Sequence, residues 1–558
     1  MKRILFLLLI VFSVLDSDAQ YYKYWVTFTD KNGSPYSTST PSAYLSARAI
    51  YRRTKYGIPV QVNDFPPNPN YIDSVAAKGV TLINRSRWLN AVSVYAPDTT
   101  KIVSIRALPF VKSVTLAYSD PAMYLAKKKQ KKDNFKFPTS QPKRAMSAES
   151  LNYGSSYSQL HQIKVDCLNN MGFRGKGKQI AILDTRFGKA NKLAAFDSVY
   201  GRGGVLATWD FVWKINNVYD DTNNTDVHGQ EVFSCIAGIL PGQQMGDAPD
   251  ADFYLLRTED NYSENIIEDE NWASGAEYAD SAGADVISSS LGYDTFDDAA
   301  ENFTYTDMNG KTPPGSRAAT IATEKGMVVC VAAGNEGANT WHYITSPGDA
   351  DSILTVGAVD TVGKYAYFSS MGPTSDGRIK PDVVACGLAA VVASPYGGAS
   401  YQNGTSFATP ITAGAVACLW QADTNASNYQ IMTAIKQSAT RYSSPNDSIG
   451  WGVPNYCLAR SIVLGITENK PVSILNKAYP DPFTGNITLS FFSSFNQHVT
   501  ISLYNMLGQT IYQEQRQVAG GGNTIVTIDN LQQLPKGLYL VAVTDEHGLT
   551  STQKVVKE

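Results

Sequence analysis

Gln179-Ile180-Ala181-Ile182-Leu183-Asp184 is a short apolar run stopped by a carboxylate. Its apolar residues are consecutive rather than alternating, as in a strand covered on both faces. The pattern returns twice. Ala284-Asp285-Val286-Ile287 runs into Ser288-Ser289-Ser290, and Met327 to Ala332 runs toward Gly334-Asn335. Such strands, separated by helical stretches, predict an α/β fold: a parallel sheet with helices on both faces. All three runs end in polar residues, and open α/β sheets place their sites outside the carboxyl ends of the strands. The pattern holds from about residue 150 to 465.

The flanks read differently. Residues 20–124 alternate short strand-like runs (Tyr24 to Phe28, Trp88 to Val94, Val111 to Leu116) with turns. Ser42 to Arg53 predicts a helix with Ser42 as its N-cap, which makes this stretch a small α+β unit. From Lys127 to Arg144 there are eight basic residues and one acid, with Pro138 and Pro142 against any helix. A basic stretch can bind polyanions, but between two globular units residues 125–149 read as an exposed, protease-sensitive linker. Beyond a polar junction at 466–473, residues 474–558 carry short strands split by Gly, Asn and Pro. Ile487 to Phe492, Val499 to Tyr504, Thr524 to Ile528 and Leu538 to Val543 predict a small β-sandwich. Residues 1–19 have the form of an export signal, with Lys2 and Arg3, an apolar stretch from Ile4 to Leu15, and Ser17-Asp18-Ala19 before Gln20. That stretch falls short of the about 20 residues a transmembrane helix needs.

At 558 residues the chain exceeds the roughly 250–300 that one hydrophobic core supports, so several folding units are expected. A hydrophobic content of 43% excludes global disorder, and a net charge of −3 gives no overall pull toward nucleic acid. A multi-span membrane protein is excluded, and no stable span is expected once the signal is gone. Six cysteines allow fifteen full pairings. No CxxC pair or zinc spacing occurs, and Cys235, Cys330, Cys386 and Cys418 lie in apolar surroundings. Mostly buried thiols are expected rather than a disulfide framework.

Chemistry narrows onto few residues. Of five histidines, His498 and His547 lie in the β-rich tail, His161 on an amphipathic helical stretch and His342 in an aromatic loop. His228 alone stands in Asp226-Val227-His228-Gly229-Gln230, just before an apolar helical run. Gly404-Thr405-Ser406-Phe407-Ala408-Thr409-Pro410 opens another, where free backbone N–H groups favour an oxyanion beside the serine. Asp184 at its strand end suits a carboxylate that orients His228, and Asn335 in Ala332-Ala333-Gly334-Asn335-Glu336-Gly337 supplies a side-chain N–H donor. Each also has a purely structural reading: a Ser N-cap, a capping Asp, a turn Asn.

The order Asp184, His228, Asn335, Ser406 with these flanks resembles the subtilisin-like serine proteases, or subtilases. The serine motif G-T-S-x-A-x-P is matched completely. H-G-T is matched as His228-Gly229-Gln230, and D-[ST]-G departs to Asp184-Thr185-Arg186. Ser290-Leu291-Gly292, Thr355 to Val359, Phe368 to Pro373 and Lys380 to Ala385 add further matches. The resemblance covers roughly residues 150–460. It implies a subtilisin-like fold and a catalytic set of Asp184, His228 and Ser406, with Asn335 in the oxyanion hole. It also implies that Ser290, Leu291, Gly292 and Ala332, Ala333, Gly334 pair with extended substrate, so specificity should be broad.

By position, residues 20–124 correspond to the family's propeptide, an intramolecular chaperone and inhibitor. The tail is similar to type IX secretion sorting domains through Tyr479-Pro480-Asp481-Pro482-Phe483, Leu503 to Gly508, Lys536 to Leu540 and Lys554-Val555-Val556-Lys557. The resemblances imply a protein made as a zymogen and secreted or surface-displayed via the periplasm. Its expected partners are protein and peptide substrates, its own propeptide and the secretion machinery. No cofactor is expected. Some subtilases bind calcium, but no site is assigned, because the EF-hand-like stretch Asp220 to Glu231 has Thr225 where that loop needs Gly. The alternative from another class is a catalytically silent subtilase fold serving as a surface adhesin.

Overall fold

The computed structural model describes residues 22–119, 151–219, 227–261, 263–465, 473–493, 497–519, 522–545 and 550–558. The export signal, the basic linker, residues 220–226 of the EF-hand-like stretch, and all but the last residue of the 466–473 junction lie outside them.

The N-terminal domain is β1 (Tyr22–Phe28), α1 (Ala47–Lys55), α2 (Pro69–Ala76), β2 (Thr81–Ser86), β3 (Ala91–Ala96), α3 (Thr99–Arg106) and β4 (Val111–Ser119). Its antiparallel sheet runs β2-β3-β1-β4. One face packs Tyr24, Val26, Val92 and Val94 against Ile72 and Val75 of α2 and Ile102 and Ile105 of α3. The helix expected from Ser42 begins later, at Ala47, because Ser46 and not Ser42 caps it, accepting from the Ala49 N–H. The strand expected from Trp88 starts at Ala91, since Trp88–Asn90 form the turn into it.

The α/β domain follows as α4 (Tyr157–Gln162), α5 (Val165–Asn170), β5 (Gln179–Asp184), α6 (Asp197–Gly201), β6 (Val205–Asp210) and α7 (His228–Ala237). A small antiparallel pair, β7 (Ile239–Leu240) and β8 (Gln244–Met245), leads to β9 (Asp252–Arg257), α8 (Ile267–Ala282), β10 (Val286–Ser289), α9 (Pro314–Glu324) and β11 (Val328–Ala332). The remainder is β12 (Leu354–Val359), β13 (Val383–Cys386), the hairpin β14 (Ala390–Ala393) and β15 (Ala399–Gln402), α10 (Thr405–Ala422), α11 (Asn428–Gln437) and α12 (Tyr456–Val463). Seven parallel strands run β13-β12-β11-β10-β5-β9-β6.

The consecutive apolar residues of β5 divide between two cores. Ile180 and Ile182 face α10 with Val286, Val328 and Val356, while Ala181 and Leu183 face α8 with Ile287, Val329 and Val331. The α8 side is completed by the N-terminal domain, whose Trp25, Trp88, Ala91 and Ala117 join the same cluster as Trp272 and Ala276 of α8. A disulfide joins Cys167 of α5 to Cys457 of α12, while the other four cysteines are free and buried. The expectation of mostly buried thiols thus misses one pair.

The chain divides between Leu464 and Gly465 into two units. The second is a β-sandwich of two antiparallel sheets. One is β16 (Ser473–Tyr479), β17 (Ile487–Ser493) and β20 (Gly522–Ile528); the other is β19 (Thr510–Val518), β18 (Gln497–Asn505), β21 (Gly537–Thr544) and β22 (Thr550–Lys557). Its own core includes Phe483, Leu489, Phe491, Ile501, Leu503 and Val541. Among the described residues no helix is long and apolar enough to cross a membrane.

Candidate active site

β5 and β10 lie side by side at the centre of the sheet, where the winding reverses, and β11 neighbours β10. Their carboxyl ends deliver Asp184, Ser290 and, just beyond β11, Asn335.

His228 is the first residue of α7, and its Nδ1 lies 2.7 Å from Asp184 Oδ1. The carboxylate is buried and the imidazole half-exposed, so one ring nitrogen is anchored while the other edge faces the cleft. Thr185 N–H also donates to Asp184 Oδ1 at 2.8 Å. Gly229 lets the helix come this close, since a Cβ there would lie 2.9 Å from the Arg186 carbonyl oxygen. The large Arg186 does not fill the cleft. It is buried with its guanidinium carbon 3.6 Å over the Trp213 ring, a cation–π stack.

Ser406 is the second residue of α10, and Gly404 is the N-cap with φ 150° and ψ 150°, a conformation essentially restricted to glycine. No side chain caps this helix, so Ser406 is not an N-cap. Its Oγ donates to the Ser290 carbonyl at 3.3 Å, and the Ser290 hydroxyl donates back to the Ser406 carbonyl at 2.7 Å. The Phe407 ring centroid lies 5.8 Å from that of His228, which sets this first turn against the imidazole. As the second helical residue, Ser406 has an N–H without a carbonyl four residues back within the helix.

Asn335 is exposed, yet its amide is oriented. Oδ1 accepts from the Thr405 N–H at 2.9 Å and the Thr405 hydroxyl at 3.1 Å, which turns Nδ2 outward as a donor. It does not behave as a turn residue, because its side chain reaches the neighbouring helix and not its own backbone.

Sequence reasoning passed over Thr405, whose hydroxyl also reaches the Gly334 carbonyl at 3.2 Å, although it stood inside the serine motif. It also passed over Glu231, one turn after His228, which accepts from Gln402 Nε2 at 2.9 Å. Burial raises the Glu231 pKa; the Gln402 bond and His228 oppose that. Near the cleft, ligand-capable oxygens of Glu259, Glu264 and Glu268 lie within 4.8 Å of one another. Glu259 already accepts from the Tyr293 hydroxyl at 2.7 Å, and Glu268 from the Asp260 and Asn265 N–H groups. Burial, reinforced by their neighbours' charges, raises all three pKa values.

The chain is 30% identical over 304 residues to a subtilisin of Bacillus pumilus, covering 53% of this chain and 94% of the relative. The chain belongs to the subtilase family. The subtilase family model matches residues 175–452, the Bacteroidota peptidase S8 propeptide model 23–136, and the secretion-system C-terminal sorting model 477–558. The subtilase is also 30% identical over 300 residues to subtilisin NAT of Bacillus subtilis subsp. natto, covering 52% of this chain and 67% of that one. Against pyrolysin of Pyrococcus furiosus it is 36% identical over 238 residues, 37% of this chain but only 14% of the relative's length. Among solved structures, the prenylagaramide maturation protease PagA is 23% identical with a TM-score of 0.42, covering 54% of this chain and 99% of that one. This serine peptidase of the subtilase family thus carries a propeptide domain and a sorting tail that marks it for export.

Proposed function

We propose that this subtilase is a secreted serine endopeptidase that hydrolyses peptide bonds in proteins. The observation that carries the reading is the 2.7 Å hydrogen bond from His228 Nδ1 to Asp184 at the head of α7, set against the Ser406 turn. Ser406 Oγ attacks the scissile carbonyl while the free imidazole nitrogen of His228 takes its proton and passes it to the departing amine. Asp184 holds the tautomer and stabilises the imidazolium. Asn335 Nδ2 and the Ser406 N–H cradle the oxyanion in a site where neither donor must reorganise. Water then releases the acyl group by the same steps in reverse order. All of this chemistry is carried by side chains and backbone, without a metal or cofactor. Ser290 to Gly292 and Ala332 to Gly334 offer backbone groups to an extended chain, a mode of binding that tolerates many sequences.

The N-terminal domain serves as inhibitor until the chain is cut within the basic linker, with a mature N-terminus between about Lys127 and Ser150. The sorting tail carries the enzyme from the periplasm to the cell surface or medium. Serine-directed fluorophosphonate labelling tests the reading. The wild type should label and cut a peptide library read by mass spectrometry, and Ser406→Ala should do neither. A wild type that neither labels nor cuts would favour the silent adhesin.

A further inference from the structure

The two backbone stretches that bracket the nucleophile are joined on their far side. Thr345 N–H donates to the Ala333 carbonyl at 3.3 Å, while Tyr293 and Ser346 exchange N–H···O bonds of 2.7 and 3.0 Å. The gap between Ser290-Leu291-Gly292 and Ala332-Ala333-Gly334 is therefore closed below by Thr345-Ser346.

The Thr345 side chain stands in that gap. A Cβ on Gly292 would lie 2.2 Å from Thr345 Oγ1, and one on Gly334 would lie 2.9 Å from the same oxygen and 3.1 Å from Cγ2. Both glycines thus face one threonine from opposite walls. Thr345 is 2% exposed, and its hydroxyl has no hydrogen-bond partner among the described residues. A buried polar atom left unsatisfied in a native structure calls for an explanation. Here it points into a gap that begins at the nucleophile: Ser406 Oγ sits on the Ser290 carbonyl, and Thr405 on that of Gly334. A substrate residue whose carbonyl Ser406 attacks would lie between those carbonyls, with its side chain entering the gap.

We propose that Thr345 is the floor of the pocket for the residue on the acyl side of the scissile bond. It makes that pocket shallow and selects small side chains, alanine and serine above leucine, phenylalanine or lysine. The inference rests on the peptidase reading above and deepens it. Glycine walls leave the pocket wide only where nothing else fills it, and here the threonine fills it. A serine at this substrate position would also offer the unpaired hydroxyl a partner. The rim supports a rival. Asp294 follows one wall and Glu336 the other, and burial together with Glu336 pushes the Asp294 carboxyl up to about 6. A long basic side chain could stop at those carboxylates without reaching the floor.

The test is kcat/KM of the enzyme matured from the full chain on peptides that differ only at this position (Ala, Ser, Leu, Phe, Lys), with fluorophosphonate titration of active sites. Alanine and serine should exceed phenylalanine by at least about 10–200-fold, the range a single methylene is worth in a hydrophobic pocket. Thr345→Gly should shift the Phe/Ala ratio upward about tenfold or more. Thr345→Val keeps the volume and should keep the size bias while lowering Ser relative to Ala; it carries the test if the glycine variant does not fold. A wild type preferring phenylalanine, leucine or lysine overturns the proposal, as does a ratio unmoved by Thr345→Gly, and proteolysis then stands without it. A wild type that neither labels nor cuts any of the peptides overturns both.

Discussion

Thr405 does more at this site than its neutral side chain suggests. It spends both its N–H and its hydroxyl on Asn335 Oδ1, so the amide has one orientation, with Nδ2 outward. Asn335→Leu removes the donor together with the Oδ1 that accepts from Thr405. It should lower kcat by about 10²–10³ with little change in KM, as loss of one oxyanion donor does. In the proposed mechanism Ser406 and His228 act as one unit, nucleophile and base. Ser406→Ala and His228→Ala should each nearly abolish hydrolysis, and the double variant should be little worse than either, measured as kcat on one peptide. Additive losses would separate the two residues. The residues of this set were legible because each sits in a short local motif. Thr345 was not, because nothing near Ile344-Thr345-Ser346 announces that Gly292 and Gly334 converge on it.

Helix α10 carries Ser406, and its backbone demands the glycines it has. Gly404 takes a conformation that other residues avoid, and at Gly414 a Cβ would overlap a carboxyl oxygen of Asp247. Asp247 is buried whole in the core behind the helix. Burial raises its pKa well above the usual aspartate value, and nearby backbone N–H groups, those of Ala415 and Ala248 among them, oppose that only in part. The folded protein therefore keeps a proton that the unfolded chain releases above about pH 4. This group's contribution to stability falls as pH rises from there until the folded carboxyl itself ionises. Asp247→Asn has no such penalty, so its gain in Tm over wild type should be larger at pH 8 than at pH 5. An equal difference at both would sink this account. The start of α1 shows how neighbours decide an element's ends. Ser42 and Ser46 are both competent caps, but the Ser46 hydroxyl is also held by the Ala282 carbonyl of the α/β domain, and the helix starts there.

The N-terminal domain is clamped to the α/β domain chiefly through α8. Arg52, Arg53 and Arg87 converge on buried Asp280, Arg53 also reaches Asp64, and Lys325 returns to Asp64 from the other side. Glu277 accepts from the Arg87 and Trp88 N–H groups and the Ser86 hydroxyl. Removing one partner from a buried pair costs about 3–5 kcal/mol. Asp280→Ala should therefore weaken the hold of the isolated N-terminal domain on the mature enzyme by about 10²–10⁴-fold, read as its inhibition constant. Burial alone would raise the Asp280 pKa, but Arg53, Arg87 and Arg52 outweigh it and hold the group below its ordinary value. Its contribution is thus complete above about pH 4 and lost as pH falls below that. Glu277, which burial raises, pulls the other way. The tail unit has its own core, which shares no residue with the clusters of the first unit. Deleting residues 470–558 should therefore leave an enzyme that folds and labels but stays in the periplasm of its native host. Normal release of that truncated chain would make the tail an ordinary binding module.

Sequence alone determined the parallel sheet and its polar strand ends, which are written in local patterns of consecutive apolar residues and turns at short spacing. The candidate residues at the cleft and the character of the two flanking domains came from resemblance to known families, the N-terminal one through its position in the chain. Only the tertiary structure decided which two of six cysteines pair, which carboxylates the propeptide arginines seek, and what closes the gap between Gly292 and Gly334. Cys167 and Cys457 are 290 residues apart, and Arg53 and Asp280 lie on different domains. Such partners meet only when separate elements dock, and no period or motif in either stretch carries the other's position.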